Sequence, residues 1–198
     1  MIAKFIKDVL KIKNEKLIEE ACKVTEVRHV KKGECLISKG TKPIYIMFKF
    51  LEEGVTRGYF YNEEGKEITD CIQYEVGTPI MPDNNFLIPA PISMEALTDC
   101  AVLCIPIEDI LRFQKKYFKE ITLLELRLIN DSWNLHLELK RVNCQYTVMQ
   151  RYQWFLNKYP NMIDEINNKY IASYLNMTPV TLSRLRRDLK NNKENTPC

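Results

Sequence analysis

The sequence predicts an α+β chain in which an antiparallel β-domain is followed by a long helix and then by two short helices joined by a tight turn. Three observations carry this expectation. All six glycines (33, 40, 54, 58, 65 and 77) fall between residues 33 and 77, among short β-rich runs. No glycine or proline occurs from 107 to 159, where apolar residues recur every three or four positions. Near the end, YIASYLNMTPVTLSRLRRDL sets a Thr-Pro pair ahead of leucines spaced three and four apart.

With 198 residues, 45% hydrophobic and 28% charged, the chain has ordinary globular composition and room for one large domain or two small ones. No apolar run approaches the roughly 20 residues needed to span a bilayer, and MIAKFIKDVLKIK breaks its hydrophobics with lysines, unlike a signal peptide. A cytoplasmic protein with no membrane partner is expected. Seven cysteines (22, 35, 71, 100, 104, 144 and 198), odd in number and without a CxxC pair, argue against a disulfide framework and a structural zinc site. The net charge of +3 hides an asymmetry: residues 1–140 hold 20 Lys and Arg against 22 Asp and Glu, residues 141–198 hold 9 against 4. The C-terminal end is the candidate for a polyanion partner.

The β-domain spans about residues 24–107. Its strands are expected within TEVRHV, YIMFKF, VTRGYFY, ITDCIQY and ISMEALTDCAVLCIPI, with NEEG before Lys66 as a hairpin turn and prolines at 79, 82, 89 and 91 interrupting the pattern. From Ile107 the period changes. Ile121, Leu124, Leu128, Ser132, Leu135, Leu139 and Val142 are three and four residues apart, a heptad-like stripe. This stripe is expected to be the parallel seam of a homodimer; packing on the chain's own barrel is the competing reading.

In the terminal segment, at about 100° per residue, Leu182, Leu185 and Leu189 point one way, while Val180, Arg184 and Arg187, with Ser183 beside them, point the other. Thr178 is placed to cap the helix and Pro179 falls at its first position. Upstream, Tyr170–Leu175 forms a shorter helix, Ala172 is small enough for a close crossing, and Asn176 can take the left-handed conformation that ends it. The pair reads as a helix-turn-helix whose second helix presents a basic face to DNA.

INNKYIASYLNMTPVTLSRLRRDL closely resembles the C-terminal helix-turn-helix of the Crp/Fnr family of bacterial transcription regulators, in particular the branch with a T-P-x-T-L-S-R recognition helix. QRYQWFLNKYPNMID is similar to the segment joining dimer helix to DNA-binding domain, and KKGECLISKG and GVTRGYFYNEEGKEIT are similar to the family's β-roll. The resemblance implies a cyclic-nucleotide-binding-like jelly roll with N-terminal helices over residues 1–107, a dimerisation helix over 108–143, and a winged helix-turn-helix over 144–198. It implies a homodimer on a double-stranded DNA operator, with RNA polymerase as a further partner. Arg184 occupies the position of the family's base-reading arginine. Ser183, Arg184 and Arg187 are expected to contact bases or phosphates, Val180 to face the bases, and Tyr170, Thr178, Thr181, Arg186 and Lys190 to touch the DNA backbone. Little chain remains after Leu189 for a wing, so the hairpin is expected before the helix-turn-helix or truncated.

Family members that bind cyclic nucleotides carry a Gly-Glu and an Arg in a short cassette, where this chain has PIMPDNNFLIPAPISMEAL. No Lys or Arg occurs between Glu67 and Leu111, and a buried phosphodiester without a cation costs several kcal/mol. Cyclic AMP is therefore not the expected effector. Met81, Phe86, Leu87, Ile88 and Met94 could line an apolar effector pocket. The thiols are too few near the N-terminus for an iron–sulfur cluster, and His29 and His136 are poor candidates for haem ligands, so neither cofactor is expected. No H-x-H of a cupin enzyme and no nucleophile motif occurs, so catalysis is not expected. The competing function is a small-ligand or cyclic-nucleotide module without a DNA-binding role, which leaves the helix-turn-helix unexplained.

Overall fold

The computed structural model describes residues 1–41, 47–83, 88–160 and 162–194. They form two compact units, Met1–Phe60 with Cys71–Trp133, and Tyr61–Asp70 with the chain from Asn134 onward. Among the described residues no helix is long and apolar enough to cross a membrane, and no three potential metal ligands come together.

The first unit opens with α1 (Ile2–Lys4), a π-helical turn over Phe5–Val9, and α2 (Glu15–Val24). Asn14 caps α2, its Oδ1 accepting from the Leu17 amide at 3.2 Å. The strands are β1 (Glu26–Val30), β2 (Cys35–Ile37), β3 (Met47–Glu53), β4 (Thr56–Tyr61), β5 (Glu67–Gln73), β6 (Ser93–Ala96) and β7 (Cys100–Pro106). They form two antiparallel sheets, ordered β1-β7-β3 and β2-β6-β4-β5, in keeping with the expected jelly roll. Gly54 turns β3 into β4 with φ of +98°, and a Cβ there would meet the Asp99 carbonyl oxygen at 2.6 Å.

Strand β7 shows why CAVLCIP reads as an unbroken apolar run. Leu103 and Ile105 pack against Phe5, Leu10 and Leu17, whereas Cys100, Val102 and Cys104 face the opposite way, among Val30, Leu51 and Met94. Each fully buried Leu, Ile or Val side chain contributes roughly 1.5–3 kcal/mol. Burial pushes the Cys100 and Cys104 thiols up, which keeps them protonated at neutral pH.

The helical stretch after β7 is two helices, α3 (Ile107–Lys116) and α4 (Phe118–Gln145), separated at Tyr117 with φ of −124° and ψ of 48°. No proline or glycine signals this break. Tyr117 is buried and its hydroxyl donates to Glu20 Oε1 at 2.8 Å, a tertiary anchor that outweighs helix continuity.

Helix α4 packs part of the expected seam within its own chain. Ile121 is buried in the first unit's core with Leu124 and Leu128 packed against it, and Val142 is buried in the second unit. Leu135 and Leu139 are half-buried, and Ser132 is exposed. On roughly the opposite side of the helical wheel lies a second stripe, Leu123, Leu126, Trp133 and Leu137, with Asn130 and Cys144 on the same line. Leu126 and Trp133 are 58% and 63% exposed. A helix apolar on two faces satisfies one of them within its own chain.

The second unit combines the tip of the β4–β5 hairpin with α5 (Val148–Lys158), α6 (Met162–Glu165), α7 (Asn168–Tyr174) and α8 (Pro179–Glu194). At the tip, the Asn62 amide donates to the Lys66 carbonyl at 3.0 Å, the turn expected from NEEG. Thr147 and Gln150 form a capping box that starts α5. The wing expected beside the helix-turn-helix is not found among the described residues from 134 on, where all regular structure is helical. Between α5 and α7 the chain makes α6 and buries Met162 and Ile166, which leaves too few residues for two strands and a turn.

Candidate nucleic-acid interface

The turn between α7 and α8 is built from local signals and then clamped. Asn176 takes φ of 49°, and the Met177 amide reaches back to the Ala172 carbonyl at 2.9 Å, closing α7 as expected. Thr178 Oγ1 accepts from the Thr181 amide at 3.1 Å and lies 2.8 Å from Thr181 Oγ1, so both hydroxyls serve the cap of α8. Arg151 on α5 donates through Nη1 to the carbonyls of Leu175 (2.9 Å) and Asn176 (3.0 Å). Asn143 Nδ2 donates to the Tyr174 carbonyl at 3.3 Å, and Ser173 Oγ accepts from the Thr69 amide of the hairpin at 2.8 Å. These partners lie 24 or more residues apart, and no local pattern announces them.

Against this frame α8 presents two faces. Leu182 is wholly buried and Leu185 and Leu189 half-buried, as the helical wheel requires. Val180 is 61% exposed, with Ser183, Arg184 and Arg187 exposed beside it; Arg187 Nε lies 3.9 Å from Asp188 Oδ1. The face offers two guanidinium groups, a hydroxyl and an apolar tip within three turns of one helix. Arg186 departs from expectation. Its Nη1 donates to Asn168 Oδ1 at 2.8 Å and its Nη2 to Asp164 Oδ1 at 2.9 Å, so it braces α8 against α7 and α6 instead of reaching outward. Tyr170 is half-buried with the Lys169 ammonium 4.5 Å from its ring centroid, and the Lys190 side chain lies outside the described residues.

Beneath the interface lies an aromatic core. The Phe155 and Tyr159 rings lie 4.8 Å apart at a 35° tilt, and the Tyr159 and Tyr174 hydroxyls pair at 2.8 Å. Glu138 of α4 accepts from Trp154 Nε1 at 2.8 Å and Lys158 Nζ at 2.9 Å. Burial by itself would raise the Glu138 carboxyl, but these two donors outweigh it and hold it below the usual carboxylate range.

The residues expected to line an effector pocket do not share one environment. Met94 is buried in the barrel core, Met81 is half-buried and Ile88 is exposed, while Phe86 and Leu87 lie outside the described residues. Two cations, on β3 and β4, lie outside the cation-free stretch from Glu67 to Leu111. Arg57, 1% exposed, donates from Nε to Glu95 Oε1 at 2.7 Å and lies 4.4 Å from the Tyr59 ring centroid, which neutralises its charge internally. Lys49 places Nζ 3.4 Å from the Leu36 carbonyl, and burial pushes its amine down.

No family model matches the sequence, and no curated protein matches it. Solved structures do. FixK2 from Bradyrhizobium japonicum superposes with a TM-score of 0.74 at 14% identity, covering 86% of each chain. A transcriptional regulator of the Crp/Fnr family from Eubacterium rectale, described as putative, gives 0.67 at 15% identity over 96% of this chain and 88% of that one. The regulator CLP from Xanthomonas campestris, described as responsive to c-di-GMP, gives 0.65 at 10% identity over 91% and 93%. At such identities the likeness speaks for the fold, and it extends over nearly the whole of both chains. The chain has the fold of the Crp/Fnr regulators.

Proposed function

We propose that the protein is a sequence-specific DNA-binding transcription regulator that acts as a homodimer. The observation that supports this most is the outward face of α8, where Val180, Ser183, Arg184 and Arg187 are exposed together while Leu182 is buried opposite them. An amphipathic helix held by a capped, clamped turn, with arginines on its free side, suits the major groove. Arg184 reads a base edge, and Arg187 contacts the phosphate backbone. The helix pair acts twice per site, because the second apolar stripe of α4, from Leu126 to Leu137, is satisfied by the same stripe of a second copy. Asn130 on that line sets the register, as a polar group in an apolar seam does. Contact with RNA polymerase and residence in the cytoplasm belong to the same proposal. Cyclic AMP and cyclic GMP are not its effectors, since the buried guanidinium of Arg57 already pairs with Glu95.

The test is selection of bound duplexes from random DNA, followed by titration at several salt concentrations. A two-fold-symmetric site and an affinity that falls steeply as salt rises are expected. No enrichment and no binding at about 100 mM salt would reject the reading in favour of a ligand-binding module.

A further inference from the structure

The first unit carries an open cavity of about 630 Å³ outside the β-sheets, formed where the chain between the π-helical turn and α2 runs beside the first turns of α4. Its volume lies in the range of small-molecule sites. Leu10, Ile12, Leu123 and Leu124 supply apolar surface, and Lys11, Lys13, Lys119 and Arg127 supply four cations against the single carboxylate of Glu120. That carboxylate is already engaged, accepting from Asn14 Nδ2 at 2.7 Å. Among the described residues Lys11, Lys13 and Lys119 make no ion pair, and all three are exposed.

The backbone at this cavity breaks two local rules. The helix here is of the π type, closed by the Leu10 amide on the Phe5 carbonyl at 3.1 Å, a rare geometry that recurs at functional sites. Lys11 then takes φ of 56°, so that Leu10 and Ile12 on either side of it both bury while its own side chain stays outside. Glycine occupies such a position without steric cost, and a lysine there keeps a cation at the cavity against the backbone's preference.

We propose that this cavity binds a small amphipathic carboxylate, with the acid group held among Lys11, Lys13, Lys119 and Arg127 and the hydrocarbon tail laid against Leu123 and Leu124. Four cations lining one cavity without acid partners, Arg127 reaching the Val9 carbonyl at 3.5 Å, suit an anion, and charge-assisted hydrogen bonds to a carboxylate are the strong ones. An apolar floor beneath them excludes a purely ionic ligand such as inorganic phosphate as the best fit. The proposal stands apart from DNA binding, because it concerns the first unit alone and is read without an operator.

Isothermal calorimetry with decanoate, at concentrations below its micelle range, tests the full-length protein. One saturable site per chain is expected, weaker at higher salt, with decanol and acetate each giving no comparable heat. Lys13→Glu with Lys119→Glu weakens decanoate by about tenfold or more while circular dichroism and melting temperature stay as in the parent. Lys11→Gly is the sharper variant: it relieves the left-handed lysine, so the fold is kept or strengthened, yet decanoate binds less tightly. Absence of saturable binding overturns the proposal, as does equal binding of decanol or indifference to all three substitutions. Binding that appears solely in a variant made monomeric at Leu126 and Trp133 also overturns it, since the cavity is then covered by a second copy.

Discussion

Arg151 Nη1 donates to the carbonyl oxygen of Asn176, 3.0 Å away, at the residue whose φ of 49° turns α7 into α8. The same nitrogen holds the Leu175 carbonyl, so one guanidinium satisfies two acceptors that the end of α7 leaves unpaired. Replacing Arg151 by Ala is expected to destabilise the second unit by about 1–3 kcal/mol and to weaken DNA binding through loss of the turn. Chemical denaturation monitored by Trp154 fluorescence in a Trp133→Phe background measures this. A variant with unchanged stability would show that the cap at Thr178 holds the turn unaided.

Readout of DNA follows from the neighbours Val180 and Arg184, one turn apart on the exposed face of α8. Arg184 has the bidentate geometry suited to guanine O6 and N7, whereas Val180 offers apolar contact suited to the thymine methyl. Half-sites about one helical turn apart are expected to keep a G and to tolerate or prefer T beside it. Arg184→Ala costs about 1–3 kcal/mol and relaxes one base pair, and Val180→Glu brings a preference for C. Sequencing of selected duplexes decides: an unchanged motif in Val180→Glu means that residue 180 does not face the bases.

The two stripes of α4 make opposite predictions on substitution. Leu126→Lys with Leu137→Lys, both on the exposed stripe, should yield folded monomers in sedimentation and lower operator affinity. Leu128→Lys, placed against the first unit's core, should instead lower the melting temperature. Cys144, exposed on the line of Leu123 and Leu137, supplies a probe already in the chain, since a short bis-maleimide should join two copies through it. Dimers that survive Leu126→Lys with Leu137→Lys would place the seam elsewhere.

Acid should loosen the second unit through Glu138. Its carboxyl is lower in the folded protein than in the unfolded chain, so its contribution is present above the ordinary carboxylate range and is lost as the pH falls through the lowered value. Thermal melts of the parent and Glu138→Gln from neutral pH down to about pH 3 should therefore converge as acid is added. A gap in melting temperature that does not narrow would mean that packing around Trp154, not charge, carries the effect.

The sequence by itself determined those features whose causes lie within a few residues. Thr178, Pro179, Asn176 and Ala172 specify a helix end, a turn and a helix start by their own backbone preferences, and the structure has each of them in the expected place. The turn at NEEG follows equally from local geometry. Tertiary structure decided whatever required a choice between equivalent faces or a partner far along the chain. Periodicity announced a long helix after Ile107, but both the Ile121–Val142 stripe and the Leu123–Leu137 stripe repeat at helical spacing. Which of them turns inward depends on the surface they meet. Arg186 was expected at the DNA backbone, and the partners that engage it, Asn168 and Asp164, lie 18 and 22 residues away, where no helical wheel can show them. A side chain's direction along a helix is local information, whereas the group waiting at the end of it is not.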